Sequence, residues 1–161
     1  MSWLNIITAN QKVLYHGTPS WLVDSILQSG LKPSTSRLER NWDQSSANHV
    51  YLSLIDRRAL QWGIHALESG EYEVDSTNAK VAILSIDVSK LNRLLLKRDR
   101  KSIRSDFQYE GTIPPEAISL FKIYDLTEQD YWRDFGEEYY PKCKKCGEEE
   151  WNCSCDEGFQ R

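Results

Sequence analysis

The stretch from Val81 to Val88 constrains the fold of this chain more than any other feature, because it is apolar on both of its faces. Successive side chains of a β-strand point to opposite faces of a sheet, so a strand of this kind has to be covered on both sides. The pattern predicts a central strand of a sheet. The alternating positions are Val81, Ile83 and Ser85 on one face and Ala82, Leu84 and Ile86 on the other.

Further strands and two helices are predicted around this strand. The first helix follows Ser20, a residue type that caps helices, and stops at Gly30. The second starts at Asp56 and carries an apolar stripe of helical period. The remaining strands are predicted at Lys12 to Tyr15, His49 to Ser53, about Phe107 to Tyr109, and Ala117 to Tyr124.

The length of 161 residues suits one ordinary domain with a small appendage. The amino terminus has neither a basic segment nor an apolar run, and no stretch of about eighteen apolar residues occurs elsewhere. We therefore expect a soluble, cytosolic monomer that does not contact membranes. A net charge of −4 argues against a uniformly basic surface for polyanions.

One local segment departs from this acidic balance. Between Lys90 and Arg104 the chain is strongly basic, with Asp99 as its single acid. A charge run of this kind is typical of a solvated helix face, docked here by Leu94 to Leu96, or of a surface that binds phosphate groups. Both interpretations remain open from the sequence. The bases are Lys90, Arg93, Lys97, Arg98, Arg100, Lys101 and Arg104.

All four cysteines lie in the last nineteen residues of a chain without an export signal. This location favours metal binding over disulfides, while reactive or unordered thiols remain an alternative. Four thiolates leave no open coordination position, so the expected Zn²⁺ is structural. The predicted zinc-knuckle-like tail covers residues 141–161 and follows a linker or helix at residues 127–140. Its ligands are Cys143, Cys146, Cys153 and Cys155.

Three short segments follow one another along the chain: a His-Gly-Thr at the end of an early strand, a Tyr on a second strand, and an Ile-Pro-Pro-Glu turn. They are Leu14-Tyr15-His16-Gly17-Thr18, Val50-Tyr51-Leu52-Ser53, and Gly111-Thr112-Ile113-Pro114-Pro115-Glu116-Ala117-Ile118. Together they resemble the core of the ADP-ribosyltransferase superfamily, over roughly residues 12 to 125. The resemblance implies an α+β fold for residues 1–126, with a split mixed β-sheet and a cleft for NAD between its halves.

The resemblance also implies roles for individual residues. His16 would hydrogen-bond an NAD ribose, and the backbone of Gly17 would grip the nicotinamide amide, where a side chain would block close approach. Tyr51 would stack on the nicotinamide ring. Ala59-x-x-Trp62-Gly63 resembles the segment after this tyrosine in rifamycin-modifying members, although Trp62 also suits a core position. The expected NAD-binding residues are His16, Gly17, Thr18, Tyr51, Ser53 and Trp62.

The catalytic acid is expected ahead of Ile113-Pro114. In DNA-targeting ADP-ribosyltransferase toxins a Glu lies a few residues before such a turn, and the match gives Asp106. In an extended strand Asp106, Gln108 and Glu110 point to the same side, so we rank Asp106 first, Glu110 second and Gln108 third. The acid would stabilise an oxocarbenium-like ribose as nicotinamide leaves.

The leading hypothesis is a mono-ADP-ribosyltransferase that uses NAD and modifies a macromolecule, with nucleic acid favoured over protein. Arg98, Arg100, Lys101 and Arg104 are the expected acceptor-binding residues. The same segments resemble tRNA 2′-phosphotransferases, although Tyr51 stands where that family tends to have His. A second alternative is an inactive module that binds NAD or ADP-ribose.

Overall fold

The computed structural model describes residues 12–33, 48–69, 75, 77–99 and 105–127, which form an α+β fold. Within this part of the chain the secondary structure consists of six strands, two α-helices and short 3₁₀ turns. The strands are β1 (Val13–Pro19), β2 (His49–Ser53), β3 (Lys80–Asp87), β4 (Leu96–Arg98), β5 (Asp106–Glu110) and β6 (Ile118–Asp125), and the helices are α1 (Val23–Ser29) and α2 (Asp56–Ser69).

The strands form one sheet in the order β4-β5-β2-β1-β3-β6, and every neighbouring pair in it is antiparallel. The expectation of a mixed sheet was therefore wrong for the described strands. The mixed sheet was an implication of the family resemblance. The periodicity of a strand reports which residues share a face, but it carries no information on the direction in which the strand runs. The long segments between the strands allow either direction.

Strand β3 is an interior strand, as its two apolar faces predict. It pairs with β1 from Val13–Asp87 to Pro19–Val81 and with β6 on its other side. Its apolar side chains divide between two clusters, one on each face of the sheet. One cluster, against α2, contains Val81, Ile83, Ala59, Leu60 and Leu67; the other, against α1, contains Ala82, Leu84, Ile86, Leu14, Leu52, Phe107, Val23 and Ile26.

Helix α1 ends where the sequence predicts but begins differently. Gly30 follows the helix with φ of 87°, a conformation that favours glycine, and its N–H donates to the carbonyl of Ile26. Ser20 does not cap the helix, because it opens a 3₁₀ turn that precedes α1. Beyond Gly30, Leu31 exchanges two backbone hydrogen bonds with Ile113, which fixes the turn before β6 against the end of α1.

Helix α2 crosses β1 at unusually close range. A Cβ atom on Gly17 would overlap the carbonyl oxygen of Ala59, and one on Gly63 would overlap Val81. The two glycines therefore let the backbones of helix and strand touch. This contact fixes α2 along the sheet and determines where its first two turns lie.

The basic segment is not a helix over its described residues. It contains a 3₁₀ turn at Val88–Lys90 followed by edge strand β4. Leu96 is buried, whereas Leu94 is 83% exposed, so the three leucines do not share one docking face. The interpretation as a basic helix face is thus wrong for residues 90–99.

No helix in the described part of the chain is long and apolar enough to cross a membrane.

Candidate active site

The sheet has a seam between β1 and β2. In the described residues the register of these two strands contains a single pair, Tyr15–Ser53, whereas β1 pairs with β3 along its whole length. Ser53 also pairs with Asp106 on β5. The halves β4-β5-β2 and β1-β3-β6 therefore meet at one point, and Ser53 connects that point to Asp106.

His16 lies at this seam. Its Nδ1 is 2.8 Å from the carbonyl oxygen of Tyr51. A carbonyl can only accept, so Nδ1 carries the hydrogen and the neutral ring keeps its lone pair on Nε2. Burial lowers the pKa of His16, and the hydrogen bond to Tyr51 partly offsets that lowering. At neutral pH the imidazole is therefore uncharged, and its Nε2 can accept a hydrogen bond from a hydroxyl group.

Strands β2 and β5 carry a row of polar side chains on one face. The cross-strand pairs are Ser53–Asp106, Tyr51–Gln108 and His49–Glu110, so the three β5 residues share one side, as their alternate spacing predicts. The row runs from buried to exposed: Asp106 is 3% exposed, Gln108 is half-buried, and Glu110 is exposed. Asp106 is the member at the seam.

Asp106 is held by an arginine that sequence reasoning missed. The Nε and Nη2 atoms of Arg58, on α2, both donate to its Oδ2 at 3.2 Å. The Arg58 and Asp106 side chains are 15% and 4% exposed, so this ion pair is largely removed from water. The partners lie 48 residues apart in a chain with 20 basic and 24 acidic residues, so no local pattern identifies the pair.

The guanidinium of Arg58 is fixed by its own helix as well. Its Nη1 donates to Oε1 of Gln61 at 2.6 Å, and its Cζ lies 4.7 Å from the centre of the Trp62 ring. Residues at i, i+3 and i+4 of a helix lie on one face, which explains why these three side chains meet. Trp62, expected to contact NAD or the core, supports Arg58 through a cation–π contact.

A second acid lies beside Asp106. The backbone N–H of Asp99 donates to the carbonyl of Asp106 at 2.9 Å and so extends the β4–β5 register by one residue. Asp99 is 8% exposed. The single acid of the basic segment is thus buried next to the candidate catalytic acid, a position that its charged sequence neighbours did not indicate.

Gly17 and Thr18, the two other β1 residues expected to bind NAD, are packed against neighbouring parts of the protein. Gly17 contacts the backbone of α2, so the space that a side chain would occupy is already filled by protein. Thr18 is 4% exposed and pairs with Ala82 on β3. Both residues therefore have a packing role in addition to the ligand contact that the sequence suggests.

The basic residues do not all lie near the polar row. Lys97 pairs with Gln108 and so shares the face of Tyr51, whereas Arg98 pairs with Phe107 and belongs to the opposite face. Lys90 donates to the carbonyl of Glu116 at 2.8 Å. Arg100, Lys101 and Arg104 lie outside the described residues. Lys97 is thus the member of the basic segment that the β4–β5 register brings to the polar row.

The predicted zinc ligands Cys143, Cys146, Cys153 and Cys155 also lie outside the described residues, as does the linker at 128–140. Among the residues that the structure does describe, no group of three or more His, Cys, Asp or Glu side chains could hold a metal ion. The zinc tail stays a prediction from the sequence.

No protein-family model matches this chain, and no curated protein matches it either.

Proposed function

We propose that the protein is an NAD-dependent mono-ADP-ribosyltransferase. The observation that carries the proposal is that His16, Tyr51 and Asp106 lie on the adjacent strands β1, β2 and β5 near the pair Tyr15–Ser53, with Nδ1 of His16 bonded to the backbone carbonyl of Tyr51. A neutral histidine, an aromatic ring and a carboxylate are the groups that this reaction needs.

Each group has a task in the proposed reaction. The bond between nicotinamide and ribose breaks with its electrons going to nicotinamide, and the ribose becomes oxocarbenium-like before the acceptor forms a bond to the same carbon. The Nε2 of His16 would accept from a ribose hydroxyl, because Nδ1 is already bonded to the Tyr51 carbonyl. The Tyr51 ring would stack on nicotinamide, and the Asp106 carboxylate would stabilise the positive sugar.

Distance along the strand favours Asp106 over Glu110 as the acid. Asp106 pairs with Ser53, the residue at the seam, whereas Glu110 pairs with His49 at the other end of β2. Four residues of extended chain separate the two acids, which corresponds to about 13 Å. A charge that far from the reacting carbon contributes little through an aqueous path. Asp106 is therefore the proposed acid.

We favour a nucleic-acid acceptor over a protein. Lys97, on β4, shares a face with Gln108 and Tyr51, and it belongs to a basic segment in a chain of net charge −4. Phosphate groups bound by such a segment release counterions, which makes the interaction sensitive to salt. The four-cysteine tail would hold a structural Zn²⁺ and take no part in the chemistry.

The direct test is incubation with NAD labelled in its adenosine half, with RNA, DNA and protein offered as separate acceptors. We expect nicotinamide release and transfer of label to nucleic acid that weakens steeply as salt is raised. The substitutions Lys97→Glu and Arg98→Glu separate the two faces of β4, and the first should reduce labelling more. Labelling of protein that is insensitive to salt would contradict the nucleic-acid acceptor, and the absence of nicotinamide release would contradict the enzyme.

An inactive module that binds NAD or ADP-ribose is the alternative favoured by one observation. Asp106 is 3% exposed and ion-paired with Arg58, so its charge is already compensated within the protein. NAD binding measured by calorimetry without nicotinamide release would support this alternative.

A 2′-phosphorylated RNA offered in the labelled-NAD assay tests the phosphotransferase, which would remove the RNA phosphate instead of adding ADP-ribose.

A further inference from the structure

We propose that strand β6 is an interface at which two copies of this chain pair edge to edge across a two-fold axis. The inference does not rest on the proposed function, because β1 and β3 separate β6 from the strands of the polar row. It differs from the monomer that the sequence led us to expect.

The two edges of the described sheet differ in length and character. Strand β4 forms one edge with three residues, of which Lys97 and Arg98 are two. Short, charged edge strands resist pairing with other strands. Strand β6 forms the other edge with eight residues, and among the described strands none lies beyond it. Its Leu120, Phe121 and Ile123 are 44%, 49% and 47% exposed, which is the character of an edge that another strand covers.

Strand β6 contains a bulge at Phe121. The register with β3 skips this residue between Leu120 and Lys122. The ring centre of Phe121 lies 5.2 Å from that of Tyr15, which packs against the α2 cluster, so Phe121 faces α2. Lys122 faces α2 as well, because its partner Ile83 belongs to the same cluster. Two successive residues of β6 therefore point to one face of the sheet.

The bulge makes the pattern of faces symmetrical about its centre. The β6 residues on the α1 face are Ile118, Leu120, Ile123 and Asp125. The order of faces is thus the same in both directions from the peptide bond after Phe121. Opposed residues of an antiparallel pair share a face, so β6 can pair with a second β6 when Leu120 lies opposite Ile123 of the second copy. A shift of one or two residues in either direction would oppose residues of different faces.

The backbone groups at this edge fit the same register. The N–H of Leu126, just beyond β6, donates to the carbonyl of Ala79, just before β3. Hydrogen-bonded pairs alternate along an antiparallel ladder, so the β6 residues that face α2 are the ones bonded to β3. Leu120 and Ile123, on the other face, direct their N–H and C=O groups outwards. In the proposed register each would exchange two hydrogen bonds with the other residue of the second copy.

The charges of β6 are compatible with this pairing. Lys122 would lie opposite Phe121 of the second copy, so the two lysines are not opposed. The ammonium of Lys122 lies 4.3 Å from the centre of the Tyr124 ring, on the side away from the axis. Asp125, at the end of the strand, is ion-paired with Lys80 of its own chain at 3.6 Å. The centre of the interface is therefore apolar on the α1 face.

The test measures the mass of the full chain by analytical ultracentrifugation and the hydrogen exchange of its amides by NMR. The mass should rise from 18.8 kDa towards twice that value as the concentration reaches about 200 µM, and protection of the Leu120 and Ile123 amides should rise with it. Leu120→Lys and Ile123→Lys should each raise the dimer dissociation constant about 10-fold or more, because one substitution alters two pairs of a symmetric interface. Leu94→Lys is the matched control, since Leu94 is 83% exposed beside β4 at the other edge.

A mixture of two variants tests the register. When a Leu120→Lys chain pairs with an Ile123→Glu chain, opposite charges face each other across the axis. The mixture should therefore associate about 10-fold more tightly than either variant alone. Leu120→Lys mixed with Leu120→Glu is the control, because the two substituted positions lie about 10 Å apart along the strands and should gain less.

Three results would overturn the inference. A mass that stays at 18.8 kDa up to about 200 µM would mean that β6 does not pair with a second copy. A dimer that is unaffected by Leu120→Lys and Ile123→Lys would use another surface. Protection of the Leu120 and Ile123 amides that is independent of concentration would mean that the same chain covers the edge, and this measurement on the wild type decides the matter if the variants do not fold.

Discussion

The imidazole of His16 fills the gap in the β1–β2 ladder by hydrogen-bonding the Tyr51 carbonyl, with 2.8 Å between Nδ1 and the oxygen. Beyond the pair Tyr15–Ser53 the described register between these strands does not continue, so a side chain takes the place of a backbone donor at this carbonyl. The same hydrogen bond sets the tautomer of His16 and thereby leaves Nε2 for a ligand.

Replacing either residue should impair the proposed reaction. We expect His16→Ala and Tyr51→Ala each to lower nicotinamide release by roughly 10²-fold while the protein remains folded, because each removes a preorganised contact to NAD. Tyr124→Ala is the matched control, since Tyr124 lies on β6 and contacts Lys122 away from the seam. A folded His16→Ala, Tyr51→Ala double variant with full turnover would exclude this site.

The lowered pKa of His16 predicts a pH dependence of stability. Because burial keeps His16 neutral in the folded state, the unfolded chain takes up a proton first as pH falls below about 6.5. Stability from this residue is therefore present above pH 6.5 and is lost as pH falls towards the folded-state pKa, by at most about 1.4 kcal/mol for each pH unit.

Urea unfolding of the wild type and of His16→Gln at pH 7.5 and pH 5.5 measures this effect. The wild type should lose more free energy of unfolding between these pH values than the variant does. Equal losses in the two proteins would mean that His16 titrates normally in the folded state.

The two acids of β5 should differ in their effect on catalysis. We expect Asp106→Asn to abolish transfer more completely than Glu110→Gln, because Asp106 lies at the seam and Glu110 lies about 13 Å further along the strand. Nicotinamide release by both variants is the measurement. An inactive Glu110→Gln beside an active Asp106→Asn would move the reacting sugar to the His49 end of β2.

Two explanations compete for the glycine at position 17, the close contact with α2 and the proposed approach of a ligand, and a stability measurement distinguishes them. If α2 must touch β1, then Gly17→Ala should lower the free energy of unfolding by about 1–3 kcal/mol or more, because the atom that its Cβ meets is the backbone oxygen of Ala59. Gly63→Ala should have a similar effect. An unchanged unfolding midpoint for Gly17→Ala would leave ligand approach as its reason.

The cysteine tail gives a prediction that is independent of the seam. Protein purified without chelator should contain one zinc per chain, bound by Cys143, Cys146, Cys153 and Cys155. Chelation should leave NAD binding unchanged, because the expected ligands are all in the tail. Elemental analysis that finds no metal would reject the zinc site.

Local sequence was sufficient for most of the individual elements, but it missed β4 and the start of α1. The two apolar faces of Val81 to Val88 predicted an interior strand, and Gly30 predicted the end of α1, because side-chain direction and backbone freedom depend on the residue and its close neighbours. For the same reason the spacing of Asp106, Gln108 and Glu110 was enough to predict that they share one side of β5.

Tertiary structure decided everything that joins distant segments. The antiparallel direction of the strands, the single pair Tyr15–Ser53, the close crossing of α2 over Gly17 and the ion pair of Arg58 with Asp106 all link residues far apart in the chain. Such contacts depend on how the whole core packs, and they form only where that packing outweighs the entropy lost in closing the loops between the segments. The spacing of apolar residues within one element contains neither kind of information. The sequence therefore determined which groups the chain carries and on which side of each element they lie, whereas the packed sheet determined which of them meet.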